Sequence, residues 1–289
     1  MPEGDTIFRA AHTLHRALAG HKITQFESVF PKLSRVDVDQ PICGRVIDRV
    51  EAQGKWLLMY FSGGLILLTH MLMSGSWHIY RVGEKWRLPQ HAMRILLATE
   101  QFVAVAFNLQ IAEFHNIDSL RRRGGFAALG PSLLSNNFDE GEAATRLTEN
   151  PHMEVGEALL KQSIVAGIGN VFKSEICFAS SVNPFRKVSS LTPAEAALLM
   201  STARKFLRAN VTPTSGNAIV TYTGMRRTTS RANPEERLWV YKRGGELCRR
   251  CATRIESRKQ GIDARITFWC PQCQPIGRSK ADCKRSGWQ

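Results

Sequence analysis

The chain runs to 289 residues, room for two or three structural units, and 43% of them are hydrophobic, an ordinary share for a globular protein. Lys and Arg number 39 against 25 Asp and Glu, a formal net charge of +14, and the stretch from Met225 to Gln289 alone holds 16 basic and 6 acidic residues. A surplus so placed points to a polyanion, nucleic acid ahead of an anionic membrane surface, and no run approaches the ~18 apolar residues of a membrane span.

The chain opens MPEGD, with acids at Glu3 and Asp5 where a secretory leader would be basic, and no long apolar segment follows. No signal peptide is expected, and the cytoplasm is the default compartment. Asp5 or Thr6 can cap a helix whose apolar positions Ile7, Ala11, Leu14 and Leu18 keep the helical period, and Gly20 ends it. Short runs of β type follow: KITQFESVF, CGRVIDRVEAQG, KWLLMYF, LILLTHML, SGSWHIYRV, MRILLATE and QFVAVAF. Turn residues separate them, Gly63-Gly64 among them, so the first half is strand-rich with one N-terminal helix. LGPSLLSNNFDEGEAATRL has the character of a linker passing into helices between about Asn150 and Asn210, notably in GEALLKQSIVAG, GNVFKSEICFAS and TPAEAALLMSTARKFLRAN. VTPTSGNAIVTYTGMRRTTSRANPE is polar and basic without an apolar period, hence a long loop.

Three groups of residues carry chemistry. Cys248-x-x-Cys251 and Cys270-x-x-Cys273 stand 18 residues apart, room for a β-hairpin between two knuckles. Four thiolates in this spacing and basic setting suit one closed, structural zinc site better than a redox dithiol, and the site would hold the arginines around it rigidly. Gly167 and Gly169 flank one residue ahead of a new helix starting near Asn170. A plain tight turn between helices is the commoner meaning of such glycines, but the turn also lets backbone approach an anion, with free helix N–H groups and the Asn170 amide as donors, and the polyanion inferred from charge gives that reading weight. At the N-terminus, removal of Met1 would leave Pro2 with a secondary amine. An α-amino group titrates near ~8 against ~10.4 for lysine, so a good fraction is a neutral nucleophile. The positive end of the following helix would lower that value further, and Glu3 stands ready to give or take a proton. By themselves these residues read first as an ordinary frayed terminus.

Taken in order, MPEG, GKWLL at 54–58, HMLMSGSW at 70–77, LGPSLL at 129–134, VAGIGNVFKSE at 165–175 and WVYKRGGELCRRC…RITFWCPQCQ resemble the formamidopyrimidine-DNA glycosylase/endonuclease VIII family. The likeness spans nearly the whole chain. It implies a bifunctional DNA glycosylase and abasic-site lyase of base excision repair acting on double-stranded damaged DNA, a monomer without a small-molecule cofactor, working in the bacterial cytoplasm at the nucleoid. The fold implied is α+β: an N-terminal β-sandwich with flanking helices over 1–130, a linker over 131–150, and a helix–two-turn–helix domain over 151–237 with a mobile loop at about 211–236. A β-hairpin zinc finger over 238–274 and a disordered basic tail over 275–289 would follow, with DNA lying between the two halves.

By the same likeness Pro2 attacks C1′ of a flipped nucleotide to form a Schiff base, with Glu3 as proton carrier. Lys55 binds the lesion phosphate and assists β-elimination, His70, Asn170 and Arg265 grip phosphates, Arg265 also serves δ-elimination, and Met73 fills the void left by the flipped base. The chain departs from the family pattern in three places. AFNLQIAEF puts Asn108 and Gln110 or Ile111 where an Arg and a Phe complete the wedge in the formamidopyrimidine branch. Asp5-Thr6 replaces a second Glu and resembles an endonuclease VIII-like bacterial subgroup. The loop TYTGMRRTTSRANPEERLW is basic and unlike the loop that caps oxidised purines in the formamidopyrimidine branch, so oxidised pyrimidines are the favoured substrates. The alternatives are a catalytically weak damage-binding relative and a non-enzymatic zinc-ribbon module, the latter leaving Pro2, Glu3 and Lys55 without a purpose.

Overall fold

The computed structural model describes residues 2–211, 226–229, 231 and 233–277. The chain divides into two compact units, residues 1–138 with 207–225, and residues 139–206 with 226–289. The expected mobile loop falls largely, and the basic tail beyond 277 wholly, outside the described residues.

The first unit begins with helix α1 (Gly4–Leu18), which buries Ile7, Ala10, Ala11, Leu14, Ala17 and Leu18 along one stripe. Strand β1 (Gln25–Ser28) is shorter than KITQFESVF suggests, because Pro31 opens helix α2 (Pro31–Asp39) directly behind it. Proline at the first helical turn lacks an N–H that would be unpaired anyway, and this is the local signal for a helix in a segment otherwise β-like. Strands β2 (Ile47–Gln53), β3 (Trp56–Phe61), β4 (Leu65–His70), β5 (Ser76–Arg81), β6 (Met93–Ala98), β7 (Phe102–Phe107) and β8 (Ile111–His115) follow, and helix α3 (Ile117–Arg122) closes the series. The first half thus carries three helices rather than one.

The strands form two four-stranded antiparallel sheets, ordered β2-β3-β4-β8 and β1-β6-β7-β5. Leu57, Met59 and Phe61 of one sheet and Ile95, Leu97, Ala104 and Ala106 of the other meet α1 in a single core, which makes a sandwich. The outer face of the first sheet is covered as well, Leu58, Ile66 and Leu68 lying under Leu120 and Phe126. Trp86 and Leu88 cover Tyr80, Val105 and Phe107 on the second. Burial on both faces explains why these strands are continuously apolar instead of alternating. Between β3 and β4 both Gly63 and Gly64 hold positive φ, 82° and 77°, as that turn requires.

The second unit is built from helices α4 (Glu140–Thr148), α5 (Val155–Leu160), α6 (Asn170–Ala179) and most of α7 (Pro193–Ala209), then strands β9 (Glu256–Gln260) and β10 (Arg265–Trp269) paired as an antiparallel hairpin. Asp139 caps α4 by accepting the Gly141 and Glu142 N–H groups, so a helix stands inside the stretch with linker character. Phe178 of α6 stacks on Trp239 at 5.4 Å and joins Val240, Ile255 and Phe268 in the core behind the cysteines.

Candidate active site and metal centre

The start of the chain is not a frayed end. Glu3 occupies the N-cap of α1, its carbonyl accepting the Thr6 and Ile7 N–H groups at 2.9 and 3.1 Å. Its side chain is fully buried, 0% exposed, and so is that of Asp5, while Pro2 is half-buried. Asp5 accepts from the Thr6 hydroxyl and pairs with Arg9 one turn on at 3.6 Å; Arg9 in turn donates to the Asn210 carbonyl at 3.1 Å. The helix therefore enters the core from its first residue and holds Pro2 beside its positive end.

Lys55 sits in the turn between β2 and β3, where Gly54 supplies a φ of 60°. Trp56 and His70 are cross-strand partners on β3 and β4, and their rings meet edge to face at 4.6 Å. Burial above all, then the Lys55 and Arg123 charges, bring the His70 pKa down to about 4. The ring is thus neutral near pH 7. Because its Nδ1 accepts the Leu72 N–H at 3.0 Å, the remaining proton resides on Nε2, which becomes a donor of fixed identity.

Beyond His70 the chain makes a tight turn from Met71 to Gly75, closed by the Gly75 N–H on the Met71 carbonyl at 2.8 Å. A Cβ on Gly75 would lie 2.6 Å from that carbonyl, so the turn admits only glycine there. Met73 is carried at its apex and is 59% exposed. The β7–β8 connection packs beside it through Leu109; there Asn108 takes a positive φ of 52° and Gln110 is exposed. Lys55, His70 and Met73 therefore share one end of the β2-β3-β4-β8 sheet.

What stands behind this cluster has no distinctive mark in the sequence. The Arg123 guanidinium lies over the Trp56 ring at 4.2 Å and grips Glu113 with two hydrogen bonds of 2.6 and 3.0 Å. Glu113 also meets His115 Nε2 at 2.9 Å. The Arg123 hydrogen bonds lead in holding its carboxyl down to about 2. The run Arg121-Arg122-Arg123 was the only available signal, and such runs are usually solvated.

In the second unit the Gly167–Asn170 turn is buried. Gly167, at φ 116°, gives its N–H to Gln162 Oε1 at 3.0 Å, and Gly169 is the N-cap of α6. Asn170 donates through Nδ2 to the Ile266 carbonyl of β10 at 2.8 Å, while its buried Oδ1 has no hydrogen-bond partner among the described residues. Arg265 begins β10 opposite Gln260, its side chain 41% exposed and 3.9 Å from Asp263. A buried chain fixes this hairpin. Lys173, 0% exposed, donates to Thr267 at 2.5 Å; Thr267 donates to Gln260 Oε1 at 2.7 Å; and Gln260 Nε2 donates to Glu154 and to the Pro184 carbonyl, both at 2.8 Å. Glu175, also 0% exposed, accepts the N–H groups of Trp239, Val240 and Tyr241 and the Thr228 hydroxyl, tying α6 to the segment that leads to the cysteines.

The sulfurs of Cys248, Cys251, Cys270 and Cys273 lie within 4.8 Å of one another, with separations of 3.4 Å for Cys251–Cys270 and Cys251–Cys273 and 3.9 Å for Cys248–Cys273. A tetrahedral ion about 2.3 Å from each sulfur places the sulfurs roughly 3.8 Å apart, so the four could hold one metal ion. The N–H groups of Arg250 and Cys273 point at Cys248 and Cys270 sulfurs, at 3.4 and 3.5 Å, as donors to thiolates do.

A family description, the formamidopyrimidine-DNA glycosylase N-terminal domain, matches residues 1–112, and the formamidopyrimidine-DNA glycosylase H2TH domain matches residues 129–221. The chain is 38% identical over 277 residues to the probable endonuclease 8 2 of Streptomyces coelicolor, covering 95% of this chain and 94% of that protein. It is 34% identical to the DNA-(apurinic or apyrimidinic site) lyase Nei2 of Mycolicibacterium smegmatis, covering 95% and 99%. The fold matches Lactococcus lactis Fpg, solved in complex with an abasic site containing DNA, with a TM-score of 0.77 at 20% identity over 95% of this chain and 100% of that one.

Proposed function

The chain belongs to the formamidopyrimidine-DNA glycosylase/endonuclease VIII family, on the endonuclease VIII-like side, and from that premise we propose that it removes an oxidised base, a pyrimidine by preference, from duplex DNA and cuts the strand at the resulting abasic site. The observation that carries this reading is the buried, helix-capping Glu3 beside Pro2, since an N-terminus anchored into a core can serve as a reactive centre and a frayed one cannot.

With Met1 removed, the Pro2 nitrogen attacks C1′ of the flipped nucleotide as the C1′–N bond to the damaged base breaks. Glu3, in its dry setting, relays the proton that the chemistry moves. The C1′–O4′ bond then breaks as O4′ takes a proton, opening the sugar to an iminium that acidifies C2′; loss of a proton there expels the 3′ phosphate, and a second elimination releases the 5′ phosphate. Lys55 and the neutral His70 Nε2–H bind phosphate in the first unit, Asn170 and Arg265 in the second, with Gly167 and Gly169 shaping the turn that presents Asn170. Lys55 assists the first elimination and Arg265 the second. Met73, exposed on a turn that cannot widen, enters the space of the extruded base. Zinc is the metal that four thiolates in this geometry fit; with every position taken by protein it supplies rigidity around Arg265 and no chemistry of its own. No small-molecule cofactor is needed, because the Pro2 amine supplies the nucleophile. We read the protein as a monomer acting at the bacterial nucleoid.

Borohydride trapping tests the reading. Duplexes containing an abasic site, dihydrouracil, thymine glycol or 8-oxoguanine should yield a covalent adduct after reduction, more from the two pyrimidine lesions than from 8-oxoguanine. A Pro2→Gly variant, whose terminal amine is primary, should trap far less. Absence of an adduct with all four duplexes would sink the catalytic role given to Pro2, and stronger trapping on 8-oxoguanine would overturn the pyrimidine preference.

A further inference from the structure

The cluster behind Lys55 and His70 is built more tightly than an ion pair on a surface needs to be. Arg123 commits Nε and Nη2 to the two oxygens of Glu113, and Nη1 to the Gly124 carbonyl at 3.1 Å. Its flat face lies on Trp56. Trp56 is in turn bounded by His70 at 4.6 Å and Phe126 at 6.5 Å, both near-perpendicular, and it directly follows Lys55. His115 Nε2 shares the Glu113 Oε2 with Arg123 Nε, and its Nδ1 meets the Ser119 hydroxyl at 3.1 Å, so the anchor is fixed to α3. The indole therefore has a guanidinium against it and an imidazole edge at its rim, and it cannot turn without moving both neighbours.

We propose that Arg123, anchored by Glu113, is a positioning residue for the phosphate-binding pair Lys55 and His70: it fixes Trp56 as a wall against His70 and keeps a second positive charge beside the imidazole. The inference rests on the phosphate-binding reading of that pair. The plain alternative is that the Arg123–Glu113 pair only ties α3 to β8. Two features speak against so limited a role. The stack on Trp56 adds nothing to such a tie, and the Arg123 charge acts on His70, with Lys55, in the same sense as burial. Lysine could supply the charge but neither the fork to Glu113 nor the flat face for Trp56.

The test uses the full chain with Arg123→Met, Arg123→Lys, Glu113→Gln and His70→Ala, following the His70 ring by nitrogen-correlated NMR across pH and binding to an abasic-analogue duplex. In Arg123→Met the His70 midpoint should rise modestly above about 4, since burial and the Lys55 charge remain, and duplex affinity should weaken about tenfold, with cleavage at saturating enzyme changed much less. Arg123→Lys should keep the low midpoint yet still lose affinity, because the stack and fork are gone. Glu113→Gln should fall between wild type and Arg123→Met in affinity. Thermal unfolding and the buried His78 ring report on the fold of each variant. A folded Arg123→Met protein with the wild-type His70 midpoint and affinity overturns the proposal. If Arg123→Met does not fold, an Arg123→Lys protein with unchanged affinity overturns it equally. A His70→Ala variant that binds as tightly as wild type instead sinks the phosphate reading beneath it, and does so whatever Arg123 does to the His70 midpoint.

Discussion

His70 shows how a single side chain acquires a charge state and tautomer that its type only permits. An exposed histidine titrates near 6.5 and would be a mixture of charge states; burial with two cations nearby leaves this one neutral, and one backbone N–H selects its tautomer. The same facts bear on stability. Between pH 6.5 and about 4 the unfolded chain binds a proton at His70 that the folded chain refuses, so stability falls as pH falls through that window. Glu113 acts in the same direction lower down, from its ordinary value near 4.5 to about 2, since its unfolded form takes up a proton before its folded form does. Urea unfolding at pH 7, 5.5 and 4 should show a steady loss of stability, and His70→Gln should flatten the slope between 6.5 and 4. An unchanged slope in that variant would show that other groups dominate. Glu3 and Asp5 make a related point: two acids in a row of polar residues would be placed in solvent by composition alone, yet both are wholly buried.

Among the elements, the β9–β10 hairpin depends most on distant partners. Thr267 and Gln260 face into the second unit, and their bonds to Lys173, Glu154 and Pro184 reach across 94, 106 and 76 residues of sequence. Gly156 belongs to this arrangement. A Cβ there would stand 2.3 Å from Gln260 Oε1, and although a glutamine amide ordinarily swings aside, this one is held by three hydrogen bonds. Gly156→Ala should therefore strand buried polar groups and cost about 1–3 kcal/mol, measured as a lower unfolding midpoint. Adding Gln260→Ala should make the second change cheaper than it is alone, and strict additivity of the two would show that Gly156 has no part in seating the hairpin. Elements with a local signal were the legible ones. The α1 stripe, the paired glycines of the β3–β4 turn and the helical period of α7 all lie within a few residues of themselves. Helix α2 is not legible even though Pro31 marks its first turn, because its nine residues expose most of their surface and bury only Leu33, so no apolar stripe accompanies that signal.

For the molecule as a whole, two units with separate cores imply that damage to one need not unfold the other. Cys270→Ser removes one of four thiolates at the centre of the second unit's cysteine core. It should release the metal to a chromophoric chelator and abolish tight binding of damaged duplex, while the sandwich retains its own unfolding transition. Tight binding by the metal-free variant would show that Arg265 does not depend on the cysteine centre for its placement.

The sequence by itself determined the family, the four-cysteine set, the strand-rich first half and the identity of Pro2, Glu3, Lys55 and Arg265 as candidates, because each is written in short-range spacing or an ordered series of motifs. Tertiary structure alone decided that Glu3 is dry, that His70 is a neutral Nε2 donor and that Arg123 backs Trp56 against it. Charge state and orientation are set by burial and by neighbours brought from elsewhere in the chain, and no local pattern of residues records which side chains those will be.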